Sequence, residues 1–268
     1  MKRKGKFLLG ARDEFSEYLQ DNTFTRVVEL IQNHHTYIPA YKHFKGDNHF
    51  ALLESMERSH LERGFNQIAQ NLTTFPDGLI AVCRPFDVIP AGIKGANSKG
   101  ICIEHVGYFD IGGDQMSAEH KTTIVFANAS LCARYVLTPS ESSIVYHHWY
   151  DLVTGKRTDG TGSTKSCPGT NFFGGNGITA AKQNFIPLIE TELAKITHFK
   201  AGATTDPQLP QGLVTATSLV VRTGPATSYK RVTSLKKGTI VAIYQEKKGW
   251  VKIHPDKQWV SGKYIEKI

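Results

Sequence analysis

The sequence predicts an α/β domain with a mixed central sheet and flanking helices, followed by a small all-β barrel. Over residues 1–200, apolar patterns typical of strands alternate with patterns typical of helices. Residues 201–211 contain two prolines and little apolar periodicity, which is typical of a linker. Residues 212–268 contain short alternating stretches separated by glycine turns, as expected of a small barrel.

The first elements surround a pair of histidines. Residues 26–33 alternate in the manner of a strand that ends directly before His34 and His35. A helix is expected next, with Asp47 as its N-cap and Gly64 after its last turn. Its predicted apolar face consists of Phe50, Leu53, Met56 and Leu61.

Two strands and a turn are predicted in the middle of the domain. Residues 65–74 and 79–83 flank the sequence Phe-Pro-Asp-Gly at 75–78, which favours a hairpin. Residues 100–104 form a short apolar strand that contains a single acid, Glu104.

The last elements lead to a second histidine pair and a long helix. A helix is predicted from Ser117 to about Val136, and a strand at residues 143–146 runs into His147 and His148. A final helix is expected to be kinked by Pro187. Its predicted apolar face consists of Ile178, Ala181, Phe185, Leu188 and Leu193.

The cysteines and the N-terminus predict a protein made in the cytoplasm without a signal peptide. The chain of 268 residues has four cysteines and no CxxC pair, which favours reduced thiols over disulfides. The basic start at residues 2–4 resembles a signal sequence, but the apolar stretch 7–9 is too short for one, and too short to enter a membrane.

Charge is concentrated in the second domain. Residues 212–268 contain 11 Lys and Arg but three Asp and Glu, a net charge of +8, which equals the net charge of the whole chain. A neutral first domain with a basic second domain suggests a catalyst tethered to an anionic surface. The alternative is a basic domain whose charge serves only solubility.

Two histidines and one cysteine suggest a metal site. His34 and His147 each directly follow an apolar strand, and Cys167 lies in a turn before Pro168 and Gly169. Two imidazole nitrogens and one thiolate are a ligand set for zinc that leaves a fourth position open for water, as catalytic sites require. Alternatively, the histidines are core residues, and Cys167 is a core residue or a nucleophile paired with a histidine.

Two charged residues near this set are candidate catalytic groups. Glu104 is costly to bury without a role and is a candidate general base, unless it points to solvent from an edge strand. Lys165 is a candidate for stabilising an oxyanion, although a lysine in a polar loop is more often solvated.

The first domain resembles the zinc-dependent N-acetylmuramoyl-L-alanine amidases, a superfamily that includes amidase-type phage lysozymes and peptidoglycan recognition proteins. The resemblance covers residues 24 to 197, and its pieces occur in the family's order. They are residues 34–39, 64–68, 76–78, 95–104 and 147–169.

The resemblance implies roles for seven residues. It implies that His34, His147 and Cys167 bind Zn²⁺ and that Glu104 and Lys165 are catalytic. It also implies that Asn97 and Phe65 contact the substrate, with Phe65 at a position where some members have a tyrosine. The spacing from His147 to Cys167 is longer than usual in the family, which leaves His148 as an alternative ligand.

The second domain resembles bacterial SH3-like wall-binding domains, which implies that residues 212–268 bind peptidoglycan or the anionic cell wall. The motifs that carry this resemblance are residues 214–216, 219–225, 235–239, 249–253 and 259–260. Tyr229, Trp250 and Trp259 are expected to be exposed for stacking on sugars or peptides, with a core position as the alternative for Trp250.

Together these features predict a peptidoglycan hydrolase, an endolysin or autolysin that cleaves the bond between N-acetylmuramic acid and L-alanine with zinc-activated water. It would reach the cell wall after release by phage lysis or by a non-standard export route. One alternative is a non-catalytic peptidoglycan-binding recognition protein. Nucleic-acid binding is not expected, because the wall-domain motifs explain the basic domain better than a nucleic-acid groove does.

Overall fold

A computed structural model describes residues 1–201, 209–229, 231–254 and 258–268, without the side chains of 197–201 and 233. The chain forms two compact units, Met1–Leu193 and Ala194–Ile268. Residues 202–208 of the predicted linker lie outside the described residues, so the domain boundaries at 200 and 212 stay predictions. None of the described helices is long and apolar enough to cross a membrane.

A seven-stranded sheet forms the centre of the first unit. Its strands are β1 (Lys2–Lys4), β2 (Phe7–Gly10), β3 (Leu30–His35), β4 (Leu72–Thr74), β5 (Ile80–Val82), β6 (Gly100–His105) and β7 (Ile144–Tyr146). Their order is β1-β2-β5-β4-β6-β3-β7. Strands β4, β6, β3 and β7 are mutually parallel, whereas β1, β2 and β5 pair in antiparallel fashion. The predicted mixed sheet and the hairpin formed by β4 and β5 are confirmed. The predicted bounds are wrong for two strands: β3 starts at Leu30 and contains both histidines, and β4 covers only the last three residues of the predicted strand 65–74.

The N-terminal segment extends this sheet, which the sequence patterns do not predict. β1 and β2 form a hairpin, and Leu8 of β2 pairs with Val82 of β5. Helix α1 (Arg12–Asp21) follows and buries Phe15 and Leu19. The apolar run in β2 is too short to indicate a strand alone, because its position depends on pairing with a distant strand.

Helix α2 (His49–Glu62) is the predicted helix after the first histidine pair. Its N-cap is Asn48, so the prediction of Asp47 is wrong by one residue. The Asn48 side chain bonds to the preceding loop, with its Oδ1 accepting from the Lys45 N–H. Gly64, at φ +85°, follows the helix end as predicted.

Helix α3 (Ala118–Tyr135) has the predicted ends. The Ser117 hydroxyl accepts the His120 N–H at 3.1 Å, which satisfies a free donor of the first turn. Val136 ends the helix in the left-handed conformation. The helix contacts α1 and β4 and thereby covers the sheet.

The last helix departs from its predicted apolar face. It starts as α4 (Ile178–Ala180), continues through a π-helical turn at Ala181–Phe185 and then becomes α5 (Ile186–Ala201). The wider turn shifts the helix phase before Pro187. Leu188 is therefore 45% exposed while Ile189 is fully buried, so the predicted position of Leu188 is wrong.

The second unit consists of two antiparallel sheets around one apolar core, which confirms the predicted small β domain. Its strands are β8 (Gln211–Val214), β9 (Ser218–Arg222), β10 (Arg231–Lys236), β11 (Ile240–Ala242), β12 (Gln245–Lys247), β13 (Trp250–His254), β14 (Gln258–Ser261) and β15 (Ile265–Lys267). The sheet orders are β10-β9-β14-β13-β12 and β11-β8-β15. The core residues are Val214, Leu219, Val221, Leu235, Val241, Ile243, Val251, Ile253 and Val260.

The three aromatic residues predicted to be exposed in this unit differ in exposure. Tyr229 is 47% exposed and Trp250 is half-buried. Trp259 is only 7% exposed, so its prediction as a stacking residue is wrong. It lies on β14, which has β9 and β13 as neighbours on its two sides.

Candidate active site

The parallel strands bring three predicted site residues to one edge of the sheet. β3 lies between β6 and β7, and His34 on β3 stands directly opposite Glu104 on β6. On the other side, Asn33 pairs with Tyr146, so His147 directly follows β7 at the same level. The carboxyl ends of neighbouring parallel strands are where α/β proteins generally place ligands.

Three donor atoms meet at this edge, and we call His34, His147 and Cys167 the donor cluster. Their ligand atoms all lie within 4.8 Å of one another, and all three side chains are buried. His34 Nδ1 lies 3.1 Å from His147 Nδ1 and 3.5 Å from Cys167 Sγ. Within the described part of the chain, no other group of His, Cys, Asp and Glu is arranged to hold a metal ion.

The distances from His34 to the other two donors are close to those between ligands of a zinc ion. Zinc binds nitrogen at roughly 2.0–2.1 Å and sulfur at roughly 2.3 Å, so tetrahedral ligands are about 3.3 Å (N to N) and 3.6 Å (N to S) apart. The observed separations of 3.1 and 3.5 Å are close to both values. Two imidazoles and a thiolate also suit the intermediate softness of zinc.

Burial sets the protonation of the donor cluster. It lowers the pKa of His34 well below its usual value and that of His147 to about 3, and the Lys165 charge acts in the same direction. Both imidazoles are therefore neutral at physiological pH and keep a lone pair for a metal. Burial, assisted by the Glu104 charge, raises the pKa of the Cys167 thiol. Metal binding would displace the thiol proton.

Glu104 lies beside the donor cluster. Its Oε1 is 3.9 Å from His34 Nδ1, and its Oε2 is buried with no hydrogen-bond partner among the described residues. Burial raises the pKa of Glu104 to about 8, against the opposing charges of Lys165 and Arg63. Because β6 is an interior strand, the alternative of a solvent-facing glutamate on an edge strand is wrong. Arg63, at the end of α2, is a nearby cation that the sequence patterns do not indicate.

Lys165 is exposed and lies two residues before Cys167. Its positive charge lowers the pKa values of Glu104, His34, His147 and Cys167, so its ammonium acts on the whole site. A flexible cation in this position can move toward a negative charge that develops on a bound substrate.

The two histidines of the second pair have different positions. His147 belongs to the donor cluster, whereas His148 supports the neighbouring loop. The His148 backbone N–H donates to the Cys167 carbonyl at 2.7 Å. Its Nδ1 lies 2.9 Å from the Lys165 carbonyl. Gly160 covers the other ring nitrogen so closely that an added Cβ would lie 2.6 Å from it.

Asp110 holds the loop that carries Cys167, and the sequence patterns do not indicate this role. Its carboxylate accepts the Ser166 hydroxyl at 2.9 Å and the Thr170 N–H at 2.8 Å, one bond on each side of Cys167. Gly169 has a φ of +122°, and a Cβ there would lie 2.3 Å from the Phe109 carbonyl oxygen. The loop is therefore held on both sides of the thiol.

Asn97 begins the short 3-10 turn Asn97–Lys99, and its side chain bonds a neighbouring loop that lies against the donor cluster. Its Oδ1 accepts the N–H groups of Gly92 and Ile93, each at 2.9 Å. A Cβ on Gly92 would lie 3.1 Å from His34 Nε2 and 2.7 Å from Cys102 Sγ. The Asn97 side chain therefore fixes a loop that lies against Nε2 of the His34 ring.

Phe65 lies beside the end of α2 and is half-buried. Its ring stacks on His60 at a centroid distance of 5.5 Å, and the Arg63 guanidinium lies 5.2 Å from its centre. Phe65 thus contacts a cation whose charge lowers the pKa of Glu104. No described contact joins Phe65 to the donor cluster.

An exposed aromatic rim lies beside His35, the residue after His34. Tyr37 is 53% exposed, and its ring lies 4.7 Å from Tyr108 and 6.1 Å from His35. Tyr37 has a φ of +59°, which is uncommon for a residue with a side chain and often marks a functional position. The next residue, Ile38, is 68% exposed.

A chain of buried hydrogen bonds ties β3, β4 and β6 to α3. It runs through Tyr41, His120, Thr74, His105, Asn33 and Asn128. Asn33 and His105 directly adjoin His34 and Glu104 in sequence, so these bonds fix the backbone on which both stand. Burial lowers the pKa of His120 to about 3 and that of His105 well below its usual range.

The fold and the donor cluster define an α/β protein with a candidate metal centre built for one ion. The chain belongs to the N-acetylmuramoyl-L-alanine amidase family. The family model matches residues 24–170, which is more than half of the chain. A bacterial SH3 domain model matches residues 217–266. Both resemblances predicted from the sequence are confirmed.

Solved structures similar to this chain include three from bacteria and insects. An endolysin N-acetylmuramoyl-L-alanine amidase, LysCS from Clostridium intestinale, is 20% identical over 55% of this chain and 78% of its own, with a TM-score of 0.41. Drosophila PGRP-LB is 22% identical over 56% and 79%, with a TM-score of 0.44. Drosophila peptidoglycan recognition protein SA is 16% identical over 61% and 83%, with a TM-score of 0.47. No curated protein sequence matches the chain.

Proposed function

We propose that this chain is a peptidoglycan hydrolase, an endolysin or autolysin, that cleaves the amide bond between N-acetylmuramic acid and L-alanine. The observation that carries the proposal is the donor cluster, in which His34 lies at distances from His147 and Cys167 close to those of tetrahedral zinc ligands, with Glu104 beside it. Membership of the amidase family supports the same reaction.

His34, His147 and Cys167 would hold the metal. When bound, zinc supplies a Lewis acid that polarises the amide carbonyl and makes water a better nucleophile at neutral pH. The loops fixed by Asp110 and Asn97 hold the Cys167 and His34 side chains in place, so the donors need little rearrangement to bind the ion.

Glu104 would act as the proton carrier. Its free Oε2 and its distance of 3.9 Å from His34 put a carboxylate within reach of water and substrate at the metal. Glu104 has a pKa of about 8 without a metal, and the positive charge of a bound ion would lower that pKa, so that the carboxylate could accept a proton from the attacking water and pass it to the nitrogen of the leaving L-alanine. The enclosed position of Glu104 limits competing contact with bulk solvent.

Lys165 would stabilise the oxyanion that forms when water attacks the carbonyl. Its charge acts on every group of the site although its side chain is exposed, so it can approach the substrate from the solvent side. Asn97 and Phe65 stay predicted substrate-binding residues, with Asn97 acting in part through the loop that it holds.

The substrate would contact the aromatic rim and Phe65. Tyr37 and Tyr108 present apolar ring faces with polar hydroxyls, which suit the mixed surface of a sugar ring or a lactyl peptide. The second unit would bind the wall and keep the first unit near its substrate, so the site of action would be the cell wall.

The proposal is tested by measuring the zinc content and the products of wall digestion. We expect about one zinc per chain, and turbidity loss that a chelator stops and added zinc restores. New L-alanine amino termini should appear without new reducing sugars. Cys167→Ser should abolish lysis and still bind walls. Wall binding by a zinc-free wild type that releases no amino termini would instead identify a recognition protein.

A further inference from the structure

A cavity of about 310 Å³ opens on the surface of the second unit. One wall is the hairpin that joins β12 to β13, and the other is the segment around β15. The lining residues are Glu246, Lys247, Lys248, Gly249, Trp250, Val251, Gly262, Lys263, Ile265 and Lys267. We call this site the lysine cavity.

Four lysines and one acid line the cavity, which gives it an excess of three positive charges. Lys267 is paired with Glu246 at 2.7 Å. Lys247, Lys248 and Lys263 are exposed and have no ion pair within the described part of the chain. Three unpaired ammonium groups around one concave surface create a positive potential that favours an anionic ligand.

The walls of the cavity are fixed by the backbone. Lys247 pairs with Trp250, so Lys248 and Gly249 form a two-residue turn, with φ values of +50° and +78°. The Gly262 N–H donates to the Gly249 carbonyl at 2.8 Å, which joins the turn to the opposite wall. The lysine side chains therefore extend from a defined frame even though each is itself exposed.

Three of the residues that line the cavity are apolar. Trp250 is half-buried there, beside Val251 and Ile265. A ligand that fits this surface carries anionic groups that reach the lysines at the rim, separated by a less polar carbon backbone that rests on the indole. A polymer with regularly spaced phosphate diesters has this character.

We propose that the lysine cavity binds the phosphodiester groups of an anionic polymer attached to the cell wall, so that this enzyme recognises the polymer as well as peptidoglycan. This inference rests on the proposed function in that it assumes a wall-acting protein. Lysine ammonium groups bind phosphate as point charges without requiring one fixed orientation, which suits a flexible polymer. The net charge of +8 between residues 212 and 268 would attract the same polymer from a distance.

The test is co-sedimentation of the full chain with cell walls before and after hydrofluoric acid removes their phosphodiester polymers. The wild type should bind treated walls about tenfold more weakly. The variant K248Q/K263Q should bind untreated walls about tenfold more weakly than the wild type and should be nearly insensitive to the treatment. The matched control K236Q/K237Q removes two exposed lysines of the same unit outside the cavity and should bind like the wild type.

The outcomes separate this proposal from the proposed function. Equal binding to treated and untreated walls would overturn it and leave peptidoglycan itself as the ligand. Equal losses in both double variants would overturn it in favour of diffuse charge attraction. Amide cleavage of a soluble muramyl peptide, measured in parallel, reports on the hydrolase alone and should not change in K248Q/K263Q.

Discussion

The donor cluster and the lysine cavity illustrate two ways of arranging charge for a ligand. The donor cluster is buried, and hydrogen bonds accepted by Asp110 and Asn97 fix the loops around it. The lysine cavity has exposed, flexible cations on a fixed frame. Positioning a reactive centre requires atoms held within fractions of an ångström, whereas retention on a polymer requires repeated weak contacts that can exchange.

The comparison predicts that a variant without one donor of the cluster loses amide cleavage but still binds cell walls. His147→Ala removes a ligand atom, and because a bound metal contributes several kcal/mol to the transition state, amide cleavage should fall about 10⁴-fold. Zinc content should fall with it. His148→Ala is the comparison variant: His148 lies outside the cluster but its ring bonds the Lys165 carbonyl, so it should keep zinc and lose much less activity than His147→Ala. Comparable zinc loss in both variants would contradict the assignment of His147.

Glu104→Gln should separate metal binding from proton transfer. The amide has nearly the shape of the carboxylate but cannot accept a proton, so cleavage should fall about 10³-fold while zinc content and wall binding stay unchanged. Metal analysis and single-turnover cleavage of a muramyl peptide measure both effects. Loss of zinc in this variant would show that Glu104 serves as a ligand and not as a base.

Asp110→Asn should show how much the fixed loop contributes to metal binding. It weakens the bonds to Ser166 and Thr170 on either side of Cys167, and zinc affinity should fall roughly 10- to 100-fold. Competition with a chromogenic chelator measures this change. Asp151→Asn is the control, because Asp151 makes similar bonds to Thr154 and Ser163 in a neighbouring loop. Its zinc affinity should match that of the wild type.

The buried histidine chain should make the first unit less stable in acid. The pKa of His120 is about 3 in the folded protein against a usual 6.5. Between these values the unfolded state binds the proton and the folded state does not, so stability falls as the pH falls. His120 alone should contribute about 2 kcal/mol of loss between pH 7 and pH 5. Urea unfolding at both pH values measures it, and His120→Gln should reduce the difference by that amount.

Local patterns were sufficient to predict the elements that carry their own signals. Apolar periodicity with clear end signals marks three kinds of element. They are the strands that lead into the two histidine pairs, the helix that follows Ser117 and the small β domain. The motifs around Cys167 and Glu104 identified the residues that the sheet brings together.

The features missed by the sequence depend on distant partners. β2 is a strand because β5 pairs with it, and Asp110 holds a loop that lies more than fifty residues further along the chain. The phase shift that exposes Leu188 comes from a single π-helical turn, which leaves no periodic pattern of its own. Trp259 is buried on an interior strand of its sheet, a position that composition does not indicate.

The separation of the donors along the chain has a consequence for biosynthesis. His34 and His147 are 113 residues apart, and Cys167 follows later still. No partial chain that ends before Cys167 contains all three donors. In addition, His34 and His147 come together only when β3 and β7 have paired. Metal uptake would then act as the final step of maturation, drawing the completed first unit toward its native state by mass action.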